Sequence, residues 1–366
     1  MSIQPATLAA LQQIRTSIGA SDDALKAILD PMQVALDATP PLQAVAHGLP
    51  KLVFQSGPFT DLSRIDINNA NTSTATTDWW VANSYIGQPG ENPAYGLIPN
   101  IPASALSVSN GILRIAQARP GAYYQNNQPT LASNWFPGSL GNASAANMAV
   151  LRANNHGRFF RPPWYIDFQF TFDQRLARGG AGFPAFWGVD WWNGILGTEI
   201  DFLEFFPQTR FAGLPVEAGQ NGSIGFNCGD FSKGVTTYPP LQSGQFPQPT
   251  FADLGNPKFD GTDLHTVGHL LIDTVTGGGT GFMERYFDDK EFAPNRLTYS
   301  RTAPPSYPPG APAGTFSSCE NVTNTPDYLG YSLYITCGNQ PGGGDWPLSI
   351  RRVRVYGPDD SIMVVV

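Results

Sequence analysis

The chain has 366 residues with a net charge of −8; only 14% are charged and 12% aromatic, and it carries 39 glycines and 33 prolines. That length holds one large domain with an appendage, or two domains, with a sizeable core in either case. The negative balance disfavours nucleic acid or an anionic membrane as the main partner, no apolar run reaches transmembrane length, and the low charge fraction argues against a long disordered or coiled-coil region.

In chain order, Met1-Ser-Ile-Gln-Pro shows no basic n-region and no apolar h-region, so no signal peptide is visible. Leu8, Leu11, Ile14 and Ile18 recur at helical spacing, and Leu25, Ile28, Leu29 and Met32 do so again after a Ser21-Asp22-Asp23 start signal. Two short helices are predicted, with Pro40-Pro41 ending the second, so that residues 1–47 form a helical segment ahead of a main domain over 48–366.

From Leu52 onward strands and loops alternate. Asn110-Gly111 before Leu113-Arg-Ile115 is a strong hairpin signal. Over 165–172, Tyr165 and Asp167 fall on one strand face and Ile166, Phe168, Phe170 and Phe172 on the other. Further strands are expected over 183–189, 199–206, 223–227, 264–272, 282–287, 331–337 and 349–356, with long loops over 118–148, 236–262 and 293–328. Many antiparallel strands in a chain rich in turns predict an all-β, two-sheet sandwich of jelly-roll type. Gly277-Gly278-Gly279 and Gly342-Gly343-Gly344 are turns rather than phosphate cradles. Cys228, Cys319 and Cys337 leave at least one thiol unpaired; a Cys319–Cys337 bridge and three free thiols both stay open. No zinc spacing occurs, and no metal or cofactor is expected.

The run Thr198-Glu199-Ile200-Asp201-Phe202-Leu203-Glu204 stands apart, three carboxylates in an aromatic, apolar strand. Burying a carboxylate is costly unless it is paired or functional. Glu199 and Asp201 share a strand face, whereas Glu204 falls one residue out of phase. A β-bulge inserts one extra residue and restores the phase, which predicts a row of three acids.

Around this run the chain resembles glycoside hydrolase family 16, the laminarinase-, agarase- and carrageenase-like enzymes. The acids match that family's bulged Glu-x-Asp-x-x-Glu, and Phe183-Pro-Ala-Phe-Trp187 its Trp-Pro-Ala-Phe-Trp segment. Asp263-Leu-His265-Thr, Tyr286-Phe-Asp-Asp-Lys290 and Ile350-Arg-Arg-Val-Arg-Val-Tyr356 are similar to three later segments, in family order over roughly residues 50–357. The resemblance implies a concanavalin-A-like jelly roll, Glu199 as nucleophile, Glu204 as acid/base and Asp201 assisting. It also implies Trp187 and His265 as substrate-binding residues. Trp191 and Trp192, just before the acidic strand, carry rings suited to stacking on sugars, and on a strand only one of the two faces the cleft, while Trp is equally a core residue and His265 equally a structural one. Arg351 stands where the family often has a calcium-binding Asp, Asn227 replaces a common His, and the segment from Tyr334 to Pro341 departs from the family pattern.

The chemistry fits the residues. A retaining glycosidase uses two carboxyl groups about 5–5.5 Å apart, one attacking and one protonating the leaving oxygen. A third carboxylate between them favours the protonated form of its neighbour. The expected function is endo-acting, retaining hydrolysis of a β-linked polysaccharide, with β-1,3- or mixed-linked β-glucan the expected class. A transglycosylase shares the covalent intermediate, and a lectin-like binder shares the sandwich. The function class implies an extracellular, cell-surface or periplasmic location.

Overall fold

A computed structural model describes residues 32, 35, 38–67, 73–82, 105–116, 130–134, 157–172, 185–192, 195–206, 223–225, 228–230, 254, 257, 259, 261–272, 280–300, 328–336, 338–339, 345–346 and 348–366. In chain order these give helix α1 (Leu42–Ala46) and strands β1 (Lys51–Ser56), β2 (Ile65–Asp66), β3 (Trp79–Ala82), β4 (Leu106–Ser109), β5 (Ile112–Ile115), β6 (Thr130–Ala132) and β7 (Arg158–Phe160). They continue with β8 (Trp164–Thr171), β9 (Ala185–Trp192), β10 (Ile195–Phe206), β11 (Ser223–Gly225), β12 (Cys228–Asp230), β13 (His265–Ile272) and β14 (Thr280–Phe287). The last are β15 (Lys290–Ser300), β16 (Tyr328–Thr336), β17 (Gly338–Asn339), β18 (Asp345–Trp346), β19 (Leu348–Gly357) and β20 (Met363–Val365).

The strands form a two-sheet, antiparallel β-sandwich of jelly-roll type. One sheet has eight strands in the order β15-β14-β13-β8-β19-β5-β4, with β1 also on β19. The other has ten, β11-β10-β9-β16-β6-β3-β2, with β12 on β10, β7 on β16 and β20 on β7. All pairings within the two sheets are antiparallel except β2 with β3.

Local chemistry accounts for much of this. Asn110 (φ 51°) and Gly111 (φ 78°) turn β4 into β5 as a two-residue hairpin, the left-handed pair a type I′ turn needs. Asp288 (φ 49°) and Asp289 (φ 62°) do the same between β14 and β15. On β8 the alternation holds. Ile166, Phe168, Phe170 and Phe172 enter the core between the sheets, and Tyr165 joins a separate cluster on the other face. Phe168 stacks on Phe170 with centroids 5.2 Å apart, Phe170 on Phe172 at 5.9 Å, and Phe168 reaches Phe186 of the facing sheet at 4.4 Å. Each such buried ring contributes roughly 1.5–3 kcal/mol.

Two findings depart from expectation. Residues 293–300, expected in a loop, belong to β15, whose irregularity spans Pro294; β15 is the edge strand, where a proline costs no ladder bond. Thr130–Ala132, also expected in a loop, is strand β6. Part of the outer face of the eight-stranded sheet is covered by the segment before β1. There Ala44 and Leu49 pack with Tyr165, Leu270, Tyr286 and Tyr356, and Gln43 Nε2 donates to the Asp289 carbonyl at 3.1 Å. Pro41 directly precedes α1, which suits a residue with no N–H to lose. Of the two helices expected before Pro40, positions 32, 35 and 38 are described and helical, and the rest up to residue 37 lies outside the described residues, as do Cys319, Cys337 and Asn227. Among the described residues no helix is long and apolar enough to cross a membrane.

Candidate active site

β10 carries the three acids near one edge of the ten-stranded sheet, paired with β9 on one side and with β11 and β12 on the other. Its register with β9 sets Glu199 opposite Val189, Asp201 opposite Trp187, Leu203 opposite Phe186 and Glu204 opposite Ala185. The register shifts between Asp201 and Leu203, so one extra residue, Phe202, is accommodated there. Positions 199, 201 and 204 therefore oppose every second residue of β9 and share its phase. Ile200, Phe202 and Leu203 all enter the core.

The register extends as rows across the sheet. Asp201, Trp187, Tyr334, Ala132 and Trp80 stand side by side on β10, β9, β16, β6 and β3. One row over, Glu199 is level with Val189 and Ser332; on the other side Glu204 is level with Ala185, Thr336 and Thr130. Asp201 is 2% exposed. Trp187 is partly buried, stacked on Tyr334 (4.3 Å, 20°), and its Nε1 donates to Thr336 Oγ1 at 3.0 Å. One face of the Trp187 ring is thus taken by Tyr334. Tyr334 Oη also donates to Asn134 Oδ1 at 3.4 Å, and Ser332 Oγ donates to the same oxygen.

Ser332, Tyr334, Thr336 and Asn134 were not singled out from the sequence. The signal was available: Tyr331, Leu333 and Ile335 are the core half of β16, which assigns the intervening residues to the face that bears the acids.

The other expected residues are placed differently. Trp191 and Trp192 lie at the β9 end of the β9–β10 hairpin, opposite Leu196 and Ile195. Their side chains, and those of Glu199 and Glu204, lie outside what the structure describes. His265 belongs to the eight-stranded sheet, so the two expected groups are carried on different layers. Its Nδ1 is 2.9 Å from Asp288 Oδ2, and its ring sits among Phe170, Phe259 and Phe287. Arg158 is buried and structural, its guanidinium donating to the carbonyls of Thr77 and Thr74. Arg351, at the position compared with a calcium-binding Asp, donates to Gln169 Oε1 at 3.1 Å.

Beneath the acids, His269 of β13 is fully buried, between Phe202 (4.9 Å, 68°) and Trp164 (5.4 Å). Burial, and next the charge of Arg285, push its pKa down to about 3. The imidazole is therefore neutral at ordinary pH.

No protein-family model matches the chain, and no curated protein does. Among solved structures, a β-1,3-glucanase from Mycobacterium marinum is 13% identical over 83% of this chain and 98% of its own, with a TM-score of 0.42. A variant of a non-specific endo-β-1,3(4)-glucanase from glycoside hydrolase family 16 is 12% identical over 84% and 94%, with a TM-score of 0.40. An alginate lyase is 11% identical over 83% and 97%, with a TM-score of 0.38.

Proposed function

We propose that this chain is an endo-acting, retaining glycoside hydrolase of a β-linked polysaccharide, with β-1,3- or mixed-linked β-glucan as its substrate class. The observation that carries the reading is the one-residue register shift at Phe202, which returns Glu204 to the phase of Glu199 and Asp201. A strand whose purpose was only packing would gain nothing from aligning three carboxylates at a sheet edge.

In this reading the Glu199 carboxylate attacks the anomeric carbon. The glycosidic C–O bond breaks as Glu204 gives its proton to the leaving oxygen, and a glycosyl ester on Glu199 results. Glu204, now a carboxylate, takes a proton from water; the water oxygen attacks the anomeric carbon and frees Glu199, with net retention of configuration. Asp201, between the two and largely desolvated, disfavours a second negative charge beside it. Trp187, level with Asp201, would meet a sugar ring on the face turned away from Tyr334.

The test is a reducing-end assay on laminarin, lichenan, agarose, carrageenan and xyloglucan with the full chain and with Glu199→Gln and Glu204→Gln. Cleavage of laminarin or lichenan is expected, falling by about 10³-fold or more in each variant. Equal cleavage by both variants, or binding of these glycans without cleavage by the parent chain, would overturn the assignment.

A further inference from the structure

A bulge is a choice of position as well as of kind. The register of β10 against β9 shifts twice, between Leu196 and Glu199 and between Asp201 and Leu203. The second extra residue could slip along the strand, and a slip past Glu204 would turn that carboxylate into the core and Leu203 out of it. Something must hold the bulge at residue 202. Phe202 is 0% exposed and is gripped from both sheets. From its own sheet, Phe186 lies with its ring 4.9 Å away. A Cβ placed on Gly188 would come within 3.2 Å of Phe202 Cζ, so the missing side chain there is the space the ring occupies. From the facing sheet, Trp164 meets the ring edge-on at 5.7 Å and His269 at 4.9 Å. The two are on adjacent strands, Trp164 opposite Leu271 and His269 opposite Ile166.

We propose that Phe202, locked into the socket formed by Phe186, Gly188, Trp164 and His269, is the positioning residue that fixes the offset of Glu204 from Asp201 and Glu199. The proposal rests on the reading of Glu199 and Glu204 as the acting pair. It adds that their alignment is set from the far side of the sandwich rather than within the cleft face. His269 serves as an aromatic wall, and its neutrality keeps charge out of the socket.

The experiment needs no substrate. The full chain is labelled with ¹³C at the glutamate carboxyls, and Glu199 and Glu204 are assigned from the Glu199→Gln and Glu204→Gln spectra. Both are titrated in the parent chain, in Phe202→Leu and in Gly188→Ala, whose small intrusion spares the fold if Phe202→Leu does not. Phe172→Leu, another buried core ring but outside the socket, is the control. In either socket variant at least one of the two midpoints is expected to move by about half a pH unit or more, with the control unmoved. On laminarin, kcat is expected to fall about tenfold or more with KM within about twofold. Unmoved midpoints in the folded socket variants, or an equal shift in the control, would overturn the socket's role. Failure of Glu199→Gln and Glu204→Gln to reduce laminarin cleavage would instead remove the functional reading and leave the titration to judge the socket alone.

Discussion

Two buried aspartates, one on each sheet, stand opposite different ladder partners. Asp167 of β8 receives Arg354 Nε at 3.0 and 2.9 Å and Nη2 at 2.5 Å, with Arg352 Nε 3.9 Å away. Arg354 also stands opposite it in the ladder. Asp201 of β10, equally enclosed, stands opposite Trp187. Its companions fare the same way: Glu199 lies between Val189 and Gly229, and Glu204 between Ala185 and Gly225. Among the described residues no ladder partner of the three acids is a cation. The eight-stranded sheet spends its buried charge on a closed ion pair that secures the outer face under α1. In the ten-stranded sheet the described ladder positions beside the acids are Val189, Trp187, Ala185, Gly229 and Gly225, none of them a fixed positive charge.

Substitution can break this contrast. Neutralising Glu199 or Glu204 is expected to remove activity, by the factor given above, with the melting temperature within a few degrees of the parent. Asp167→Ala should do the reverse, costing about 3–5 kcal/mol in denaturant unfolding because Arg354, itself buried, loses the carboxylate it is bonded to. A Glu199→Gln chain as destabilised as Asp167→Ala would make the two sheets alike.

A smaller effect sharpens the picture at the interface between the layers. His269 has a folded pKa of about 3 against about 6.5 when unfolded. Between those values the unfolded chain binds a proton that the native chain refuses, so stability is full above pH 6.5 and is lost as pH falls toward 3. At pH 5 the loss amounts to about 2 kcal/mol. Unfolding curves at pH 7 and pH 5 should therefore converge for His269→Gln relative to the parent; parallel pH dependence in the two chains would contradict a neutral, buried imidazole. The smallest effect belongs to Tyr334, on the sheet face that bears the acids. Tyr334→Phe keeps the ring stacked on Trp187 and loses only the hydroxyl that reaches Asn134. Melting temperature should change by no more than a few degrees, as one neutral hydrogen bond is worth about 1 kcal/mol.

How much of this was legible in the sequence depends on the range of the forces involved. The Asn110-Gly111 hairpin and the division of β8 into an aromatic face and a Tyr165–Asp167 face follow from local sterics and a period of two, and both hold. The register shift at Phe202 could be read because a carboxylate out of phase in an apolar strand is too costly to leave there. What escaped was set at long range. Nothing near Asp167 in sequence announces Arg354, 187 residues away. Nothing in the polar half of the sheet pattern shows that residues 39–49 cover it. β15 was hidden by Pro294, which an edge strand with a register irregularity at that point tolerates. His265 illustrates the opposite limit: a motif names the residue, while its tie to Asp288 across the β13–β14 pairing is a fact of the fold.

The central claim, that the aligned acids of β10 break a glycosidic bond by double displacement, is tested most directly by trapping the intermediate. The full chain would be incubated with a 2-deoxy-2-fluoro laminari-oligosaccharide carrying an activated leaving group, then digested and mass-analysed. The account expects one glycosyl adduct, on the peptide containing Glu199, accumulating in the parent chain and absent in Glu199→Gln. An adduct on a different residue, or steady turnover of the reagent by Glu199→Gln, would contradict it.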